Sequence, residues 1–179
     1  MFLDRDGVIN RARVDHVKSW TEFEFLPRAL QALAELHRSG ARLVMVTNQS
    51  AVGRGLLDQR ELASIHEKML NAIQVAGGRI EGIYICPHTP ETGCTCRKPG
   101  TELFKRAGAD LRLELRGAYM IGDSWIDVQA ALSIDAMPIL VAPNPPRTVT
   151  EMRVPVARDL YEATALVLAG SRDPEPARC

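Results

Sequence analysis

Arg42-Leu43-Val44-Met45-Val46-Thr47-Asn48-Gln49-Ser50 turns from apolar to polar in a single step. A run of aliphatic residues without alternation reads as a strand buried on both faces, as in a parallel sheet covered by helices. Four other runs read the same way: Met1-Phe2-Leu3, Gly82-Ile83-Tyr84-Ile85, Ala118-Tyr119-Met120-Ile121 and Pro138-Ile139-Leu140-Val141. Between them lie helical stripes. Leu26, Leu30, Leu33 and Leu36 form one, ended by Gly40. Leu62, Ile65, Met69, Ile73 and Ala76 form another, opened by Asp58 with Glu61 three residues on and stopped at Gly77-Gly78. Shorter helices are expected after Thr101 and Ser124, and a last one from Leu160 to Leu168. The alternation predicts an α/β fold, a three-layer Rossmann-like parallel sheet. Right-handed crossovers put the carboxyl ends of all five strands on one edge, so the segments that follow them should converge.

The 179 residues suit one domain, read as 1–169 with a disordered tail at 170–179 that carries Cys179 as a free thiol. Lys plus Arg (22) equals Asp plus Glu (22), which argues against nucleic acid or a membrane surface as the partner. No apolar run reaches membrane-spanning length and no signal peptide is present, so the chain reads as soluble and cytoplasmic, a monomer by default. His37 and His66 sit on or beside helices with no second ligand at metal spacing and read as helix-surface residues. Residues 5–25 form the longest stretch without a clear period. Only three residues precede Asp4, so the first strand is expected to be shorter than the usual five or six or so.

Each strand end carries polar chemistry. Asp4-Arg5-Asp6-Gly7 follows the first strand and reads either as a turn that binds Mg2+ or as a solvated Asp-Gly turn. Thr47-Asn48-Gln49-Ser50, with Gly53-Arg54-Gly55 beyond, reads as a phosphoryl-binding segment or as an ordinary polar loop. Gly122-Asp123-Ser124-Trp125-Ile126-Asp127 places two carboxylates one helical turn apart, either facing one site or serving as helix cap and surface residue. Trp125 reads as a substrate wall or as local packing, and Trp20 as packing within the first loop.

The third strand leads into Cys86-Pro87-His88, five further residues, and Cys94-Thr95-Cys96-Arg97-Lys98-Pro99. Three thiolates and an imidazole supply the four ligands of a tetrahedral zinc site, and clustered cysteines in a reducing compartment favour metal over disulfide. Three thiolates around Zn2+ leave about one net negative charge, which Arg97 and Lys98 would offset.

Taken together, the segments at the strand ends resemble the haloacid dehalogenase superfamily of phosphohydrolases: DxD after the first strand, Thr after the second, a mid-chain Lys and GDxxxD after the fourth. The CPH-x5-CxCRKP loop and TNQS resemble, within it, the histidinol-phosphatase and heptose 1,7-bisphosphate 7-phosphatase family. Asn48 to Gly55 is the more similar to the heptose enzymes, whereas Pro99-Gly100 departs from the longer RKPxPGM. No insertion leaves room for a cap domain, which makes the site open.

The resemblance implies a phosphatase for a small phosphorylated metabolite. It assigns Asp4 as the nucleophile and Asp6 as the acid and base, kept protonated by crowding beside Asp4. Catalytic Mg2+ would be held by Asp4, the Asp6 carbonyl and Asp123. Thr47 and Lys98 would bind the transferring phosphoryl group, with Asp127 in support. Asn48, Gln49, Arg54 and Arg97 would contact the substrate, and Zn2+ on Cys86, His88, Cys94 and Cys96 would be structural. A phosphatase fold retained only for binding is the alternative from another functional class.

Overall fold

The computed structural model describes residues 1–143, 145 and 151–170. Strands β1 (Phe2–Leu3), β2 (Val44–Asn48), β3 (Gly82–Cys86), β4 (Tyr119–Gly122), β5 (Met137–Val141) and β6 (Val156–Ala157) form one parallel sheet in the order β3-β2-β1-β4-β5-β6. The chain moves outward from β1 to β3, then returns to the other side of β1 with β4. The order reverses between β1 and β4, where the carboxyl edge of such a sheet opens a crevice. Five strands fall where the apolar runs place them. β6 was not expected, because two residues after Pro155 carry no readable pattern.

The helices are α1 (Ala29–Arg38), α2 (Ser50–Gly53), α3 (Gln59–Val75), α4 (Glu102–Leu111), α5 (Trp125–Leu132) and α6 (Leu160–Gly170). Side chains alternate between faces along each strand, so neighbouring residues feed opposite layers. Leu3, Met45, Ile121 and Ile139 pack with α1, α3 and α6. Phe2, Val44, Val46 and Met120 pack with α4 and α5, and Phe2 meets Phe104 edge-on at 5.1 Å. Each large apolar side chain buried in this way contributes about 1.5–3 kcal/mol. The opening of α3 is as expected, with Asp58 accepting from the Glu61 N–H at 2.7 Å. α1 begins at Ala29 rather than Leu26, because Arg28 takes a left-handed turn, pairing with Asp159 and covering the Tyr161 ring. The polar stretch after Gln49 turns out to be helical in α2.

Two hydrogen bonds compensate for the brevity of β1. Val44 N–H donates to Met1 O at 3.0 Å, and Asp4 N–H donates to Ile121 O at 2.9 Å. The ladder therefore runs past both strand ends and ties Asp4 to β4. Residues 5–25 lack a period because the loop folds back on itself: Leu26 N–H bonds Ile9 O, Arg11 N–H bonds Glu24 O, and Trp20 stacks on Phe23 at 5.1 Å. Trp125 packs beside Val128, Leu140 and Val154. Among the described residues no domain is inserted between strands and no helix is long and apolar enough to cross a membrane. The expected tail lies outside the described residues except for Gly170, which ends α6.

Candidate active site and metal clusters

β1 delivers Asp4 and β4 delivers Asp123 to the crevice, and the first turn of α5 supplies Asp127. Ser124 caps α5 in a reciprocal capping box, its side chain accepting from the Asp127 N–H and its own N–H donating to Asp127 Oδ2, to which its hydroxyl also donates. Asp127 is therefore a buried member of the site, and Ser124, not Asp123, is the cap. Lys98, only 2% exposed, reaches the same place. Its Nζ stands 2.9 Å from Asp4 Oδ1 and 2.7 Å from Asp127 Oδ1, and donates to Val46 O at 2.8 Å. Asn48 holds the Lys98 backbone at two points, accepting from its N–H at 3.0 Å and donating to its carbonyl at 3.2 Å.

One ammonium thus faces three carboxylates, each offering an oxygen within 4.8 Å of the others. Burial pushes Asp4 up; Lys98 pulls it back, Asp127 and Asp6 push it further, and it stands at about 6. Burial, followed by the charges of Asp4 and Asp127, pushes Asp123 to about 7. Burial alone would lower Lys98, but Asp127 and Asp4 raise it above its ordinary value. Hard oxygen donors with an uncompensated negative charge fit Mg2+. The turn after β1 also comes close to the cluster: Gly7 has φ +79°, and a Cβ there would collide with the Asp123 carboxylate.

Asp6 stands in different surroundings. Arg5 Nη2 donates to both its oxygens at 2.9 Å, Asn10 Nδ2 to Oδ1 at 2.8 Å and Gln49 Nε2 to Oδ2 at 2.7 Å. Burial pushes the Asp6 carboxyl up, but the Arg5 charge and the bonds from Asn10, Arg5 and Gln49 outweigh it and hold it below its ordinary value. The expectation that crowding keeps Asp6 protonated is therefore overturned: four hydrogen bonds from three donor nitrogens hold an ionised carboxylate. Arg5 itself is fully buried, and its Nη1 lies 3.1 Å from Nε2 of His66 on α3. His66 is buried, not a surface residue, and burial followed by the Arg5 charge holds its pKa down to about 4.

After β3, Cys86 Sγ lies 3.6 Å from both His88 Nδ1 and Cys94 Sγ and 3.3 Å from Cys96 Sγ. Cys96 Sγ is 3.2 Å from His88 Nδ1 and 3.5 Å from Cys94 Sγ. A disulfide needs about 2.05 Å; these separations instead resemble the edges of a tetrahedron around one ion bound at about 2.3 Å to sulfur. Burial raises Cys94, yet the Arg97 N–H and the donors around it outweigh that and bring it to about 6, favouring a thiolate there, whereas burial pushes Cys86 up to about 12 and also raises Cys96. Lys98 does not offset this cluster's charge as expected, because its ammonium turns to Asp4 and Asp127. Arg97 donates to His88 O at 3.3 Å.

A cavity of about 260 Å³ lies over the site, lined by Asp4, Asp6, Asn48, Gln49, Arg97, Lys98 and Asp123 together with Arg13, His16 and Ser50. Thr47 lies behind that wall, 1% exposed, its hydroxyl accepting from Gln49 at 3.0 Å. Asn48 and Gln49, expected as substrate contacts, have their amides engaged inside the protein, on Lys98 and on Asp6 and Thr47. Arg54 is not at the cavity; it faces Glu91 at 3.9 Å on the cysteine loop. Arg5, Asn10 and His66 were not expected in the site. The sequence does hold a clue for His66: it lies four residues from Leu62 and three from Met69, on the buried stripe of α3.

A parallel sheet whose switch point gathers Asp4, Lys98, Asp123 and Asp127 defines the haloacid dehalogenase-like hydrolases, and the HAD-hydrolase-like family profile matches residues 95–163. D-glycero-beta-D-manno-heptose-1,7-bisphosphate 7-phosphatase of Bordetella bronchiseptica is 38% identical over 168 residues, covering 93% of this chain and 94% of its own. The enzyme of the same name from Pseudomonas aeruginosa is 36% identical over 141 residues, 79% of each chain. The crystal structure of the Bordetella bronchiseptica D,D-heptose 1,7-bisphosphate phosphatase complexed with magnesium and phosphate superposes with a TM-score of 0.87 at 36% identity, covering 95% of this chain and 98% of that one. The chain belongs to the heptose 1,7-bisphosphate 7-phosphatase family of haloacid dehalogenase-like phosphatases.

Proposed function

We propose that the protein removes the 7-phosphate of D-glycero-D-manno-heptose 1,7-bisphosphate through an aspartyl-phosphate on Asp4. The convergence of Asp4, Lys98 and Asp123 on one open cavity carries this reading, supported by the names of its relatives. An Asp4 oxygen attacks phosphorus while the P–O bond to the sugar breaks, and Asp6 gives the leaving oxygen a proton. The clamp on Asp6 favours its ionised form, so that proton must arrive with the substrate; a phosphomonoester, whose second pKa is about 6, can bring it as the monoanion. Water then attacks the acyl phosphate and loses its proton to Asp6, which the clamp holds ready as a base. Lys98 neutralises phosphoryl oxygens in both steps, and Arg97 at the cavity wall meets the distal part of the substrate.

Asp4, the Asp6 carbonyl and Asp123 would hold Mg2+, which when bound screens the charge between carboxylate and phosphate. Zn2+ on Cys86, His88, Cys94 and Cys96 would be structural, since four protein ligands leave no open position, and would fix Arg97 and Lys98. Phosphate release is the test, measured on heptose bisphosphate, histidinol phosphate, hexose bisphosphates and an aryl phosphate, with Asp4→Asn as control. Preference for histidinol phosphate overturns the substrate; equal rates for Asp4→Asn and parent overturn the nucleophile. One zinc per chain is expected in protein purified without chelator, and its absence removes the structural-metal reading.

A further inference from the structure

The mechanism above uses Asp6 but leaves two buried groups behind it unexplained. Arg5 has no surface exposure, and its Nε finds no hydrogen-bond partner. The guanidinium is therefore held only at its two terminal nitrogens, Nη1 facing His66 Nε2 at 3.1 Å and Nη2 straddling both oxygens of Asp6 at 2.9 Å. A guanidinium can only donate, so His66 Nε2 must be the acceptor and the ring proton must sit on Nδ1. Arg5 is planar, so fixing one terminal nitrogen fixes the direction of the other. His66 is carried by the seventeen-residue helix α3, which is anchored in the core through Leu62, Ile65 and Met69. A line of contact thus runs from a rigid helix through Arg5 to the carboxyl group that must meet the leaving oxygen.

We propose that His66 is a positioning residue for Asp6, acting through Arg5. The inference rests on the reading of Asp6 as the acid and base. A packing residue could occupy the place of His66 with any side chain of similar volume, whereas a tether needs an acceptor at the Nε2 position. Without it, Nη1 is left buried and unpaired, and the guanidinium turns away to find another partner. Asp6 then loses the donor that spans both its oxygens and keeps only Gln49 and Asn10, one on each.

The test compares His66→Leu with His66→Gln, whose amide oxygen can replace the ring acceptor. It reads kcat/KM, which reports the step that expels the leaving group. Two substrates are used: heptose 1,7-bisphosphate, whose alkoxide needs a proton, and p-nitrophenyl phosphate, whose phenolate leaves unaided. His66→Leu is expected to lose roughly ten- to a hundredfold on the sugar phosphate and less than about threefold on the aryl phosphate, because a misplaced acid matters only where a proton is required. His66→Gln should recover most of the loss. Equal losses on both substrates, or a glutamine variant as impaired as the leucine variant, overturn the tether. If His66→Leu does not fold, His66→Gln against His66→Met on the same two substrates decides it in the same way. Asp6→Asn is run alongside. If it too shows no preference between leaving groups, the acid reading itself has failed; if it does while the His66 variants do not, only the tether has.

Discussion

Two buried cations meet the turn after β1, Lys98 at Asp4 and Arg5 at Asp6, and they shape their neighbours in opposite ways. Lys98 is outnumbered: Asp4 and Asp127 touch it and Asp123 lies beside them, so burial, reinforced by the neighbouring carboxylates, pushes Asp4 and Asp123 up to about 6 and about 7. Arg5 meets one carboxylate and a histidine, and Asp6 is held below its ordinary value. Burial alone would raise both Asp4 and Asp6. At Asp4 the push of burial prevails, whereas at Asp6 the Arg5 charge and the hydrogen bonds from Asn10, Arg5 and Gln49 together outweigh it. Asp4 and Asp6, two residues apart in the chain, therefore respond differently to acid: Asp4 takes up a proton as the pH falls through about 6, whereas the Asp6 carboxylate is held ionised to lower pH.

The sharpest way to break that contrast is Asp4→Asn. It should lower turnover by roughly four orders of magnitude or more in a phosphate-release assay while leaving the Arg5–Asp6 clamp in place. Residual activity within tenfold of the parent would move the nucleophile elsewhere. Lys98→Met attacks the other member of the same cluster, stranding Asp4 and Asp127 without their cation. Breaking a buried pair of this kind costs about 3–5 kcal/mol. The loss, read from urea midpoints, should be larger at pH 8 than at pH 5, where Asp4 and Asp123 can take up protons. A pH-independent loss would mean that Lys98 acts through packing alone.

How far the contrast can be read from sequence depends on what each residue leans on. Asp4, Asp123 and the four zinc-type ligands are legible because a strand end and a loop spacing are one-dimensional facts. Five of the strands were legible for the same reason, and β6 was not, since Val156–Ala157 is too short to show a period. Arg5 was passed over because its neighbours Asp4 and Asp6 explained the turn without it. His66 lay on the core stripe of α3, yet its partner is sixty-one residues away, and no local pattern announces that. Asn48 and Gln49 line the cavity where they were expected, but their scaffold bonds were not read, because an amide at a strand end can serve substrate or scaffold with equal ease. Only the distances to Lys98, Asp6 and Thr47 show the scaffold bonds.

A smaller effect follows from the raised carboxylates. Their ordinary value is 3.8, and in the folded protein Asp4 and Asp123 stand near 6 and 7. The folded state therefore binds protons the unfolded chain has released, so their contribution is present below about pH 4 and lost as pH rises through 6 and 7. Together the two groups should destabilise the metal-free protein progressively as the pH rises from 5 to 8. Millimolar Mg2+ gives the ionised oxygens a partner, so the decline in Tm between pH 5 and 8 should flatten with Mg2+ and in Asp123→Asn. A slope unchanged by either would show that the cluster does not bind the ion.

The mildest probe is Ser124→Ala. Ser124 caps α5 by accepting from the Asp127 N–H, its hydroxyl also donates to Asp127 Oδ2, and Asp127 Oδ1 is the side that meets Lys98. Removing a serine cap costs about 1 kcal/mol, and here the loss should be accompanied by a fall in kcat of no more than about threefold. Asp127 still has the Ser124 N–H on Oδ2, so its carboxylate stays oriented and Lys98 stays paired. A drop in kcat as deep as that of Lys98→Met would place the hydroxyl inside the charge cluster rather than at its edge.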